Sequence, residues 1–225
     1  PKTIDNDLYG TDFTFGFDTA VTIATDAIDR IHTTAESHNR VMVVEVMGRH
    51  AGWIATYAGI AGGADVILIP EIPIDLDEVC DLILRRHSRG KSFSIVVVAE
   101  GAHFAEKPGM NGELILQESQ KDEFGHVRLG GISQVLSKAI EKRTRFETRY
   151  VVLGHIQRGG SPTAHDRVLA TRFGIYATEM IHRGEFGKMA ALQGSRITAV
   201  PLSEATSKLK TVDMEIYGIA KEFFG

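Results

Sequence analysis

The chain has 225 residues, with 25 Lys and Arg against 29 Asp and Glu and a net charge of −4. That balance excludes a bulk nucleic-acid binder, whose affinity needs basic charge, and 43% apolar with 24% charged residues excludes a disordered chain. No apolar run nears the ~20 residues of a membrane helix, and one cysteine, Cys80, rules out an intrachain disulfide and points to a reducing, cytoplasmic compartment.

The first element in chain order is a dense polar motif, Pro1 to Asp7, so we expect further sequence upstream. Val21, Ala24, Ile28 and Ile31 then mark a long helix ending near Glu36. Val41–Met47, Val66–Ile69, Ser94–Ala99 and Tyr150–Leu153 read as strands. Most are continuously apolar, as strands covered on both faces are. Asp75 followed by Glu78 resembles a capping box, and Leu76, Val79, Cys80, Ile83 and Leu84 share one helical face behind it. The spacing recurs at Ile132, Val135, Leu136, Ala139 and Ile140, and again at Leu169, Phe173, Tyr176 and Met180. Ala102–Leu129, with Pro108 and several glycines, reads as a long surface excursion. Met189–Leu192 and Ile197–Val200 are weak strand signals. This rhythm predicts an α/β fold: a mostly parallel sheet with helices on both faces.

In such a sheet, ligands sit beyond the carboxyl ends of the strands. Three strands end in a charged side chain beside glycine: Met47-Gly48-Arg49, Glu100-Gly101, and Gly154-His155-Ile156-Gln157-Arg158-Gly159-Gly160-Ser161-Pro162. Glycine lets a ligand approach the backbone. Arg49 is expected at a helix start, where free amides already favour an anion. Arg158 and Arg167 lie nine residues apart with His165 between them, and Arg40 and Arg49 bracket a strand. Guanidinium forks match phosphate oxygens.

Thr3-Ile4-Asp5-Asn6-Asp7 places a hydroxyl and two carboxylates at alternate positions. If extended, all three share a face. One carboxylate could then accept a proton and the other help hold Mg²⁺, with Lys2 beside a transferred phosphate. The same residues are also good turn chemistry. Cys80, on an apolar face, reads as packed.

These motifs, in this order, strongly resemble the 6-phosphofructokinase family from Pro1 to Gly225, with Gly48-Arg49-His50-Ala51-Gly52-Trp53 and the Ala102–Leu129 insertion like its mixed-substrate actinobacterial branch. The resemblance implies a Rossmann-like phosphofructokinase fold lacking its N-terminal part. Residues 1–16 would be the tail of the donor domain, 17–164 the sugar-phosphate domain, 165–209 a return into the donor domain and 210–225 a C-terminal helix packed back on the sugar-phosphate domain. It implies phosphoryl transfer from ATP, or alternatively pyrophosphate, to the 1-hydroxyl of fructose 6-phosphate, giving fructose 1,6-bisphosphate in glycolysis.

By that resemblance Asp5 is the base, Asp7 positions Mg²⁺, Thr3 lies by the phosphoryl group, Lys2 touches donor phosphate and Arg49 stabilises the transition state. Met47, Gly48 and Glu100 line the sugar. Arg40, Arg158, His165 and Arg167 hold the 6-phosphate, with Arg40 and Arg158 reaching across from a second copy in a dimer or tetramer. No membrane or nucleic-acid partner is implied. His32, Asp65 and Arg89-Gly90-Lys91 only partly echo the family's effector site. The chain alone could instead be a non-catalytic sugar-phosphate-binding module. If part of the donor sheet is missing, the Leu169, Phe173 and Met180 face should stand exposed.

Overall fold

A computed structural model describes residues 1–105 and 131–225. The expected excursion over Ala102–Leu129 falls mostly outside them.

The central sheet holds β3 (Val41–Val46), β4 (Val66–Leu68), β5 (Ser94–Ala99) and β6 (Thr148–Val152) in the order β4-β5-β3-β6. All three pairings are parallel. Strand ends differ slightly from the sequence expectation: Met47 lies past β3, Ile69 past β4 and Leu153 past β6, and β6 begins at Thr148 rather than Tyr150.

Alternation explains why the inner strands are apolar throughout. Met42, Val44 and Val46 of β3 and Ile95, Val97 and Ala99 of β5 pack against α1 (Phe17–His38) and α2 (Trp53–Ala61). Val41 and Val43, with Val96 and Val98, face α3 (Leu76–Ser88) and α4 (Ile132–Thr144) on the other side. Each fully buried Val, Ile or Leu contributes roughly 1.5–3 kcal/mol of transfer free energy.

Caps fix where the helices begin. Asp75 accepts the Asp77 N–H at 2.9 Å and starts α3; the expected reciprocal partner was Glu78, but the bond is to the N–H two residues on. Asp77 and Glu78 in the first turn and Arg85, Arg86 and His87 in the last complement the helix dipole. At α4 the cap comes from the sheet. Glu45 is 2% exposed, and its carboxylate accepts the Gly131 and Ser133 N–H groups at 3.0–3.1 Å and the Ser133 hydroxyl at 2.6 Å. A buried anion is tolerated there because, among the described residues, the bonds its carboxylate accepts come from a helix N-terminus.

The remaining elements build a second, smaller layer. β1 (Lys2–Thr3) pairs in parallel with β2 (Phe15–Gly16), and β7 (Lys188–Gln193) forms a hairpin with β8 (Arg196–Pro201). The two weak strand signals are therefore a real antiparallel pair. α5 (Ala164–His182) lies over both pairs. Its Leu169, Phe173 and Met180 are only 3–4% exposed, packed on Phe13, Phe15, Ala190 and Leu192. This corrects the expectation that this face stands open. The exposed apolar residues of α5 are Val168, Ile175 and Ile181, at 58–60%. After the short α6 (Leu202–Ala205), α7 (Met214–Lys221) returns to the large sheet, where the Tyr217 hydroxyl donates to the Ile67 carbonyl at 2.8 Å. No helix among the described residues is long and apolar enough to cross a membrane.

His87 makes stability depend on pH. Its ring stacks on Phe146 at 3.9 Å, and its Nε2 is buried with no hydrogen-bond partner among the described residues. Burial, and then the Arg86 charge, push its pKa down. A histidine that resists protonation when folded binds fewer protons than when unfolded. Its contribution is therefore full above the unfolded pKa of ~6.5 and is lost as pH falls below it. His87→Phe should narrow the gap between the melting temperatures at pH 7 and pH 5. An unchanged gap, measured by calorimetry, would refute this.

Candidate active site

The polar motif at the start of the chain is held by a turn. Asn6 is 1% exposed with φ of 52°, a left-handed conformation that asparagine tolerates. Its Oδ1 accepts the Thr14 N–H at 3.0 Å, and the Thr14 hydroxyl donates to the Thr3 carbonyl at 2.7 Å. Of the two readings the sequence left open, extended strand or turn, Thr3, Asp5 and Asp7 follow the turn, with β1 ending at Thr3. Turn chemistry and site chemistry coexist: the middle residue makes the turn, and the flanking carboxylates are left for other work.

Asp5 remains next to Thr3. Its N–H donates to the Thr3 hydroxyl at 3.1 Å, and that hydroxyl lies 3.5 Å from the carboxylate. Burial raises the Asp5 pKa, and the Asp7 charge raises it further; Arg158, the Thr3 hydrogen bond and His50 oppose them. Glu100 is raised too, first by burial and then by Asp5 and Glu45, while the Gly48 N–H and Arg158 lower it. Asp5, Glu100 and Arg158 therefore share one electrostatic neighbourhood, although they come from three distant segments.

The segment after β3 lies flat on the segment after β5. The Gly48 N–H points to Glu100 at 3.5 Å, and the Gly101 N–H donates to the Gly48 carbonyl at 3.1 Å. Gly48 has φ of 140°, which a side chain would not accept readily. Met47 is fixed by Gln157, which is 1% exposed and accepts its N–H at 3.3 Å. Arg49 is exposed in the loop, four residues before α2 begins at Trp53, so it does not occupy the helix start expected for it.

A cavity of about 660 Å³ opens beside Asp5, lined by Lys2, Thr3, Arg158, Gly159, Gly160 and Arg167 among others. Its floor joins two helix starts. The buried Asp166 accepts the Thr19 N–H at 2.8 Å and the Thr19 hydroxyl, while Thr163 caps α5 and donates to Asp18 at 2.5 Å. Three cations around two helix N-termini make the cavity attractive to phosphate. His165 lies outside that lining, exposed and edge-on to Phe13.

Arg40 is not part of this group. It stands before β3, at the other end of the sheet, and pairs with Glu147 at 2.8 Å. Arg149 binds the same carboxylate oxygen at 2.7 Å. The Glu147 carboxyl is held below the usual range by the Arg40 hydrogen bond first. Within one chain, then, Arg158 and Arg167 go together, while Arg40 goes with Arg149, which sequence reasoning missed. A signal existed. Val41 and Thr148 are register partners in parallel strands, so charged residues beside the two strand starts must be neighbours.

A family model, Phosphofructokinase, matches residues 1–181. The chain belongs to the phosphofructokinase family. Among its relatives, the pyrophosphate–fructose 6-phosphate 1-phosphotransferase of Streptomyces coelicolor is 59% identical over 225 residues, all of this chain and 64% of that protein. The ATP-dependent 6-phosphofructokinase of Mycobacterium bovis is 57% identical over the same shares. Among solved structures, phosphofructokinase from Saccharomyces cerevisiae matches with a TM-score of 0.77 at 35% identity, covering 99% of this chain and 26% of that one. A pyrophosphate-dependent phosphofructokinase from Marinobacter aquaeolei matches at 0.76 and 27% identity, covering 96% of this phosphofructokinase chain and 53% of its own. The chain thus spans about two thirds of the length of those curated relatives, and the mostly parallel sheet is the family's.

Proposed function

We propose that the protein containing this chain transfers a phosphoryl group to the 1-hydroxyl of fructose 6-phosphate, giving fructose 1,6-bisphosphate. The observation that carries the reading is Asp5: a carboxylate raised by burial, beside a cavity of about 660 Å³ walled in part by Arg158 and Arg167. A general base works best with a pKa brought toward the working pH. Asp5 takes the proton of the sugar hydroxyl as its oxygen bonds the donor's terminal phosphorus and the bridging P–O bond breaks, releasing ADP from ATP or orthophosphate from pyrophosphate. Thr3, hydrogen-bonded to Asp5, holds it in place. Arg158 and Arg167, with Lys2, offset phosphate charge in the cavity. Arg49, on an exposed loop laid against Gly101, stabilises the charge spreading over the phosphoryl oxygens. Met47, Gly48 and Glu100 line the sugar.

Mg²⁺ binding here would use few protein ligands. No group of three or more His, Cys, Asp or Glu among the described residues could hold a metal. Mg²⁺ commonly binds through one or two carboxylates plus phosphate oxygens and water, and Asp7, close enough to Asp5 to raise it, fits that mode. The ion would supply charge neutralisation on the phosphates.

The cavity draws its lining from residues 2–5, Phe15 and Gly16, from Thr19, residues 157–160 and Pro162, and from Asp166, Arg167 and Ala170. This supports a site between a donor part (1–16 and 165–209) and a sugar-phosphate part (17–164). Arg40, with Arg149, lies too far round the sheet to serve it. In this reading the pair completes the acceptor site of a second copy, so the enzyme is at least a dimer and acts in the cytoplasm. Arg158 serves Asp5 in its own chain.

Donor choice has two readings. ATP is the first. Pyrophosphate is supported by relatives of that name at 59–60% identity, while Lys2 in the cavity lining suits the phosphate of either donor. Steady-state rates of the full-length enzyme with Mg²⁺ and each donor decide. A kcat/KM at least ~10-fold higher for one donor, about 1.4 kcal/mol, assigns it. No fructose 1,6-bisphosphate from either would refute the function.

A further inference from the structure

Two loops carry the chemistry proposed above: Asp5–Asp7, and Met47–Gly52 with Arg49. They arrive from different layers of the molecule, and no strand pairing joins them. A short segment far along the chain, Leu209–Val212, between α6 and α7, touches both. Leu209 bridges to Leu8, and the Lys210 N–H donates to the Asp7 carbonyl at 2.9 Å. The Lys210 ammonium donates to the Asp12 carbonyl at 2.5 Å and lies 4.8 Å from the centre of the Trp53 ring. The Trp53 indole N–H donates to the Lys210 carbonyl at 2.9 Å. Lys210 thus holds Asp7 on one side and the first residue of α2 on the other.

Glu71 closes this strap. It follows β4, and its carboxylate accepts the Gly52 N–H through both oxygens at 3.1 Å and the Val212 N–H at 2.9 Å. Gly52 opens α2 without any side-chain cap of its own, so Glu71 is the anion at that helix start. The geometry leaves little slack. A Cβ on Gly52 would lie 2.4 Å from Ile69 and 3.1 Å from the Glu71 carboxylate, and Val212 is 3% exposed.

We infer that Glu71, acting through the Lys210–Val212 strap, is a positioning residue that fixes the Arg49 loop relative to the Asp5–Asp7 loop. The inference rests on the phosphoryl-transfer reading. It goes beyond it in assigning a role to residues that touch neither sugar nor phosphate. Reacting atoms must be held within a fraction of an ångström of productive geometry, and about 1 Å of misplacement costs up to ~10²-fold in rate. A strap fixing two loops that share no pairing protects that geometry.

These 225 residues hold a single tryptophan, Trp53, and it lies in the strap, so the part of the full-length enzyme's emission that Trp53→Phe removes reads strap geometry. The test compares the full-length parent with Glu71→Asp and Glu71→Gln. Aspartate keeps the charge but is one methylene short of spanning both N–H groups. Glutamine keeps the length and one oxygen that both donors can share. We expect Glu71→Asp to lower kcat about 10-fold or more, to leave the KM for fructose 6-phosphate within about threefold, and to shift Trp53 emission. Glu71→Gln should restore most of all three. A parent-like kcat in Glu71→Asp with shifted emission would overturn the inference, as would a glutamine variant no better than aspartate. Should the parent form no fructose 1,6-bisphosphate, the functional reading fails separately. The strap is then judged by fructose 6-phosphate alone: emission should respond in the parent and Glu71→Gln and be blunted in Glu71→Asp, and equal responses would overturn it.

Discussion

Asp5→Asn in the full-length enzyme is expected to lower kcat by about 10²–10⁴-fold, the usual contribution of a positioned acid–base group. The KM for fructose 6-phosphate should change little. Asparagine keeps the shape of the side chain and an acceptor for the Thr3 hydroxyl, but it cannot take a proton. Stability should move the other way. Burial and the Asp7 charge raise the Asp5 pKa. A carboxyl raised on folding contributes stability below its unfolded pKa and loses it as pH rises through the folded one. At neutral pH the ionised group is therefore a cost, and the amide removes it. Asp5→Asn should melt no lower than the parent at pH 7. The same sign sets the pH profile: kcat of the parent should fall on the acid side as Asp5 protonates, with a limb above the ordinary aspartate value, and that limb should vanish in the variant. A variant with parent-like kcat would remove Asp5 from the mechanism. A much less stable variant would mean its carboxylate is structural.

How much of this could be read from the residues varies with the range of the interactions. The large sheet was legible because its signals are local. Val41–Val46, apolar but for Glu45, and Ser94–Ala99, apolar after Ser94, carry apolar residues on both faces, the pattern of inner parallel strands. The Asp75 cap and the apolar stripe of α3 were legible for the same reason. The burial of Leu169, Phe173 and Met180 was not, because it depends on the β7–β8 hairpin folding back beneath α5. Hairpin pairing across Gly194 and Ser195 was only weakly marked in the sequence. In the site, motif spacing singled out Asp5, Glu100 and Arg158, which the fold brings into one electrostatic neighbourhood, since each follows a strand or sits in a dense motif. It failed where two charged residues meet through register or through the strap. Arg149 beside Arg40, and Glu71 beside Val212, are partners across more than 100 residues, and Glu71 reaches Gly52 across 19. Nothing in their local sequence marks them. Glu45 was hidden differently: a charge inside an apolar strand looks like an error until a helix N-terminus is placed against it.

Gly101→Ala is the second substitution with a large expected effect, and its cause is steric. A Cβ at this position would lie 1.9 Å from the Arg49 carbonyl oxygen, 2.7 Å from the Arg49 carbonyl carbon and 3.0 Å from the Gly48 carbonyl oxygen. All three are backbone atoms, so no rotamer change relieves the contact. The Gly101 backbone itself is not left-handed, so the clash alone carries the effect. Reaching an ordinary contact distance requires the Arg49 loop to move by more than about 1 Å. That movement breaks the Gly101 N–H bond to Gly48 and pulls Gly48 away from Glu100. Stability should fall by about 1–3 kcal/mol, as for overpacking elsewhere, and kcat/KM by about 10²-fold or more, because Arg49 and the sugar-lining residues move together. Gly174→Ala is the control. Gly174 lies in α5 with nothing near its would-be Cβ, so alanine should leave activity unchanged and add about 0.5–1 kcal/mol of stability. Parent-like kcat/KM in Gly101→Ala would show that the Arg49 loop can shift without loss, and that its close seating on Gly101 does not position the reacting groups.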